Sequence, residues 1–333
     1  MVVLGAYVRL TAAGLGCPDW PGCYGHVTPI GAERSVADGA VLPGAPFNAT
    51  KAWHEMIHRY AASTLGFIIL LIAATAIAAR RESTARARYA SVLLAVVVLQ
   101  GTLGMLTVTW QLKPSIVTLH LLGGMTTLAL LWWLWMWRRE VDPDRRASAS
   151  IGQSISFASV HARSRAWVWA RRLAILGLVV LACQIALGGW TSSNYAAIAC
   201  PDFPTCQGSW WPTMDFRDAF VIWRPLGIDY QGGVLSDPAR AAIHFTHRLG
   251  ALVTTCVLIA AVVAALRQRD RVRARIAAVV VLLALAAQLT IGISMVLKGF
   301  PLWLATAHNA GAAFALLSVL ALVHSLRMRP LPS

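Results

Sequence analysis

Residues 54–79 read HEMIHRYAASTLGFIILLIAATAIAA. The first six positions hold Glu55, Arg59 and the histidines His54 and His58, and the following twenty carry no charge. An apolar stretch of about 20 residues, at 1.5 Å rise per residue, matches the roughly 30 Å hydrocarbon core of a bilayer. The segment therefore reads as a membrane-spanning helix with ionisable groups at its entry. Six more such runs lie near 89–110, 115–137, 171–192, 241–266, 276–297 and 302–326. The ten-residue alternating segments of a membrane barrel are absent from the sequence, so the spans are read as helices. Of the 333 residues, 57% are hydrophobic and only 13% charged, which excludes a soluble enzyme, a nucleic-acid binder and a disordered scaffold.

The net charge of +15 takes its meaning from its placement. Segments 80–88, 138–172, 267–275 and the tail from Arg327 hold nineteen Arg and five acidic residues. The positive-inside rule assigns them, with the C-terminus, to the cytoplasm. Segments 9–51, 111–114, 193–240 and 298–301 hold eight basic and eight acidic residues and are assigned outside. Topology thus accounts for the excess, and no nucleic-acid partner is assigned to it.

Outward from the first span the chain repeats itself. Gly16-Cys17-Pro18-Asp19-Trp20-Pro21-Gly22-Cys23-Tyr24-Gly25 is echoed by Ala199-Cys200-Pro201-Asp202-Phe203-Pro204-Thr205-Cys206-Gln207-Gly208, at an offset of 183. Glu55 to Arg59 matches His244 to Arg248 at 189, and both Thr118 to His120 and Gln100 find their counterparts, Thr306 to His308 and Gln288, at 188. Ordered landmarks at near-constant offset indicate a duplication. The halves are 1–140 and 171–333, joined by a polar linker, 141–170. With both Cys loops outside, the repeat is parallel, giving an all-α integral membrane fold of two four-helix bundles and eight spans. Gly5 aligns with Gly188, yet only four residues precede it, so the first helix is expected to be shortened and the natural chain to start at least about 13 residues upstream, because a helix ending within lipid leaves backbone groups unpaired.

His58 and His120 enter their helices at similar depth, and His247 and His308 repeat the arrangement with 61 residues between them against 62. Ionisable residues inside spans are functional candidates by default. Two inward-facing His on two helices of a bundle suit the iron of a planar haem. Zinc fits less well, since two His per bundle lack the ligands that complete a tetrahedral site. For Arg59 and Arg248, pairing with a haem propionate and snorkelling to phospholipid stand equal. Glu55, three residues before His58, faces the same side of its helix, whereas His244 takes that place in the second half. The first half is therefore read as reactive, with Glu55 handling protons, and the second as an electron-transfer or structural site. Cys17 with Cys23, and Cys200 with Cys206, are expected as disulfides that either staple their loops or exchange electrons. Cys183 and Cys256 read as packing residues within spans.

Glu55-x-x-His58-Arg59, His120, His247-Arg248, His308 and the two C-P-D-[WF]-P-x-C loops strongly resemble the haem A synthase family over nearly the whole chain. The resemblance implies an eight-span enzyme of the respiratory membrane that oxidises the C8 methyl of haem O to a formyl group by successive hydroxylations, making haem A for cytochrome oxidase. It further implies that His58, His120 and Glu55 receive substrate haem, that His247 and His308 ligate a haem b cofactor, and that the Cys17–Cys23 disulfide is linked to activity. An electron donor and a farnesyltransferase that makes haem O are the implied partners, and the lack of a transit peptide points to a bacterial plasma membrane rather than a mitochondrial inner membrane. Two rival readings remain, a dihaem electron carrier, which has no need of Glu55, and a parallel-repeat transporter, which has no need of haem.

Overall fold

A computed structural model describes residues 1–37, 47–81, 83–141 and 157–327. Most of the expected linker, 142–156, lies outside the described residues. Ten helices follow in order: α1 (Val2–Leu10), α2 (Pro29–Ala37), α3 (Ala49–Ala78), α4 (Thr84–Thr109), α5 (Pro114–Val141), α6 (Phe157–Ser193), α7 (Phe216–Ala219), α8 (Asp237–Leu266), α9 (Val272–Leu297) and α10 (Leu302–Ser325). Seven of them, α3, α4, α5, α6, α8, α9 and α10, are long and apolar enough to cross a membrane, and they coincide with the seven runs read from the sequence. With nine residues, α1 reaches only about 14 Å.

Local chemistry sets the helix ends. The Asn48 side chain caps α3 by accepting from Lys51 N, and Ser83 caps α4 by accepting from Arg86 N. Pro114 opens α5 and Pro238 lies in the first turn of α8, positions where a missing N–H costs nothing. The turn from α4 to α5 reverses through Gln111 and Leu112, at φ of 49° and 60°, and that from α9 to α10 through Gly299 and Phe300, at 70° and 61°.

The helices pack as two groups. α1, α3, α4 and α5 contact one another, as do α6, α8, α9 and α10. Between the groups α1 lies on α10, α5 on α6, and α5 on α10. The largest buried cluster runs through the second group and α5, including Met125, Leu181, Leu258, Val262, Val281 and Leu322. α3 and α4 are the least buried spans, because α1 covers only the end of the first group that carries the Cys loops. Cys183 and Cys256 are exposed on α6 and α8 rather than packed inside as expected from the sequence. Both lie on helix faces that no other helix covers, so the apolar surroundings inferred for them are not those of a protein core.

At the Cys-loop end the second group reaches across the first. Arg9 donates to Ser192 O at 2.7 Å and lies over the Tyr195 ring at 4.0 Å. Tyr230 N donates to Gln111 O, and Gln231 Nε2 to Ala12 O. Lys113, fully buried, sets its ammonium 3.2 Å from the centre of the Trp223 ring, with Trp110 on another side. Burial lowers this ammonium below the usual lysine pKa.

Candidate functional site

Each half builds the same loop. Cys17 joins Cys23 and Cys200 joins Cys206, with Cα atoms 4.7 and 4.6 Å apart. All four cysteines are fully or almost fully buried, which leaves no sulfur open to an attacking thiolate and favours the stapling role over exchange. Asp19 accepts from Tyr24 N and Gly25 N, and Asp202 from Gln207 N and Gly208 N. These amides belong to residues at positive φ in both loops, so the aspartate holds the turn that closes each disulfide ring.

The Thr205 hydroxyl also donates to Asp202, and this bond, with the two amides, holds the carboxyl below its usual pKa. A depressed carboxyl stabilises the fold above its unfolded value, about 3.9, and loses that contribution as pH falls through the folded value. Between about pH 6 and pH 3 the melting temperature of the detergent-solubilised wild type is therefore expected to fall further than that of Asp202→Asn. Equal falls would show that the ionised aspartate contributes nothing to the loop.

An arginine on the adjoining span clamps each loop. Arg59 Nη1 donates to Asp19 O at 2.9 Å, Gly22 O at 2.5 Å and Pro21 O at 3.3 Å. Arg248 donates to Thr205 O at 2.7 Å, Asp202 O at 2.7 Å and Cys200 O at 3.1 Å. The two guanidinium groups therefore spend their donors on loop carbonyls, an arrangement that neither the propionate nor the phospholipid expectation contained.

Below each arginine the halves differ. In the first, Glu55 is buried, with Oε1 2.6 Å from Arg59 Nη2 and Oε2 accepting from Cys17 N at 2.9 Å. In the second, His244 is equally buried and its Nε2 accepts from Arg248 Nε at 3.4 Å.

The histidine pairs lie further along the same helices. His58 on α3 faces His120 on α5 with ring centroids 6.5 Å apart and planes at 89°. Glycines flank the rings so closely that a Cβ on Gly5 would stand 3.0 Å from His58 Cε1, and one on Gly104 3.2 Å from His120 Cε1. In the second half the distances are 3.3 Å from Gly188 to His247 and 2.9 Å from Gly292 to His308, and His308 lies within electrostatic reach of His247. Glutamines fix the backbone and rings: Gln100 donates to His120 O, Gln184 to His247 O, and Gln288 Nε2 lies 3.2 Å from His308 Nε2. Nδ1 of His58, His120 and His308 is buried with no hydrogen-bond partner. Two imidazoles holding one metal through bonds of about 2 Å put their ring centres about 6–6.5 Å apart, which is the spacing of His58 and His120. Among the described residues no group of three or more His, Cys, Asp or Glu is placed to hold a bare metal ion.

The glycines that face these rings carry a signal in the sequence. Gly104 and Gly292 recur at the same offset of 188 as His120 and His308, and that recurrence was the available signal. Lys113 and Arg9 left no such trace.

Comparison with known proteins places these residues in a family. The cytochrome oxidase assembly protein model, COX15-CtaA, matches residues 1–320. A haem A synthase of Shewanella oneidensis is 38% identical over 322 residues, covering 96% of this chain and 90% of that protein. Haem A synthases of Methylobacterium radiotolerans and Halalkalibacterium halodurans are 28% and 25% identical, covering 98% and 92% of this chain and 85% and 86% of their own length. With a match that runs from the first helix into the last, and a relative alike at more than a third of its positions, the chain belongs to the COX15-CtaA family of cytochrome oxidase assembly proteins.

Proposed function

We propose that the protein is a haem A synthase, oxidising the C8 methyl of haem O to a formyl group, with the first helix group as the substrate site and the second as the seat of a haem b cofactor. The observation that carries this reading is the pairing of like histidine sites with unlike neighbours. Both halves set two imidazoles against glycines, but only the first sets a buried carboxylate one helical turn from its histidine.

The residues fit such groups. Ring spacing, unpartnered Nδ1 atoms and glycines that leave no room for a Cβ make a slot for a flat ligand between two imidazoles. His247 and His308 would hold haem b, which when bound supplies a one-electron redox centre. His58 and His120 would orient the substrate macrocycle, and the bundle around them keeps water from the reacting methyl. Glu55 has the reach and burial to take up and pass on protons released as the methyl is oxidised. Arg59 fixes that carboxylate and ties it to the Cys loop.

In a bacterial plasma membrane the positive-inside rule puts the Cys loops outside and the C-terminus in the cytoplasm. An electron donor and a farnesyltransferase that makes haem O are its partners. The test is to express the protein in cells that make haem O but lack haem A, and to identify the haems by mass. Appearance of haem A is the expected result. Haem b alone would point to an electron carrier, and no haem to a transporter.

The glycine contacts give a prediction of their own. Gly292→Ala pushes a methyl against His308, an overpacking of about 1–3 kcal/mol, and should lower haem b per protein in pyridine haemochrome spectra. Gly101→Ala, with open space around its Cβ, should leave that ratio unchanged. Equal haem content in both variants would remove Gly292 from the slot.

A further inference from the structure

The Cys17–Cys23 loop is tied to Glu55 at two points. Cys17 N donates to Oε2 at 2.9 Å, and Arg59, bonded to Oε1 at 2.6 Å, holds the carbonyls of Asp19, Pro21 and Gly22 from inside the disulfide ring. Gly16 makes the first tie possible. A Cβ there would stand 2.6 Å from the Lys51 carbonyl carbon, so only glycine lets the loop settle onto the first turn of α3 and bring the Cys17 amide to the carboxylate. Both carboxylate oxygens are thereby engaged on the loop side, which fixes the rotamer of a buried side chain one turn from His58.

We infer that the Cys17–Cys23 loop and Arg59 are positioning elements for Glu55, and that this disulfide bears on activity through the Cys17 amide and the Arg59 clamp rather than through its sulfurs. The inference rests on the substrate-site reading of the first half. Burial of both cysteines closes the sulfurs to an outside thiol, while the Cys17 amide touches the carboxylate directly and the clamped carbonyls reach it through Arg59. The second half supplies the contrast within one chain. Its loop has the same disulfide, the same Asp-held turn and the same arginine clamp, but it closes over His244, and no loop amide of Cys200 is bonded there.

A double-mutant cycle on the full chain in membranes tests this, with conversion of haem O to haem A and bound haem per protein as the two measurements. Cys17→Ser with Cys23→Ser should lower the conversion rate about 10–100-fold at unchanged bound haem, and in a Glu55→Gln background should lower it no further. Cys200→Ser with Cys206→Ser should combine additively with Glu55→Gln. Additive effects for the first pair, or a rate loss that merely follows lost haem, overturn the inference. If the first-pair variant does not accumulate in the membrane, Arg59→Lys replaces it, since it keeps the disulfide and loses the multi-carbonyl clamp. Additivity of Arg59→Lys with Glu55→Gln overturns the inference equally. A wild type that makes no haem A defeats the functional reading instead, so the two failures are distinct.

Discussion

Glu55→Gln is expected to leave the protein folded and loaded with haem while haem O accumulates in place of haem A. The amide keeps an oxygen for the Cys17 N–H and keeps the volume, so the buried donors of Cys17 and Arg59 are not both orphaned. What it loses is the capacity to accept a proton. Positioned acid–base groups contribute about 10²–10⁴-fold, so conversion should fall by at least about 100-fold. Glu55→Asp retracts the carboxylate by one methylene and should recover part of the rate. Haem extracted from membranes and separated by mass reads all three proteins. Full conversion by Glu55→Gln would strip the carboxylate of its role and return weight to the electron-carrier reading.

Removing histidines one at a time should separate the two halves. His247→Ala or His308→Ala takes away one of the two imidazoles that would hold haem b. Loss of groups that merely orient a metal ligand costs 10–100-fold in affinity, so losing a ligand should cut bound haem b by more than about tenfold. His58→Ala or His120→Ala should keep haem b and abolish haem A, because the slot they line is the substrate's. The optical spectrum of the purified variants reports the first effect and haem extraction the second. If His58→Ala lost haem b while His247→Ala kept it, the division of labour between the halves would be reversed.

Much of the fold was legible because bilayer thickness imposes a length on every crossing, and seven apolar runs became seven long helices. The register of the repeat was legible for a related reason, since histidines and Cys loops stand out against an apolar background. From the repeat alone, His58 and His120 were expected to face one another, and their rings do. The partners of Arg59 and Arg248 were not legible. A guanidinium bonded to loop carbonyls depends on how a seven-residue ring folds, and carbonyls belong to every residue alike. The burial of Lys113 escaped for the same reason, since its cover comes from Trp223, more than a hundred residues away. The exposure of Cys183 and Cys256 was missed because apolar neighbours in sequence do not distinguish lipid from protein.

The loop that carries Trp223, Tyr230 and Gln231 has a consequence for traffic. By settling on Gln111, Lys113 and Ala12 it roofs the first helix group at the Cys-loop end, where water would otherwise approach the histidines. The sides of that group, along α3 and α4, are the barest flanks of the molecule. On the substrate-site reading, a guest with a long hydrocarbon tail would have its doorway in the plane of the bilayer, and would be handed over and taken away without ever being wetted.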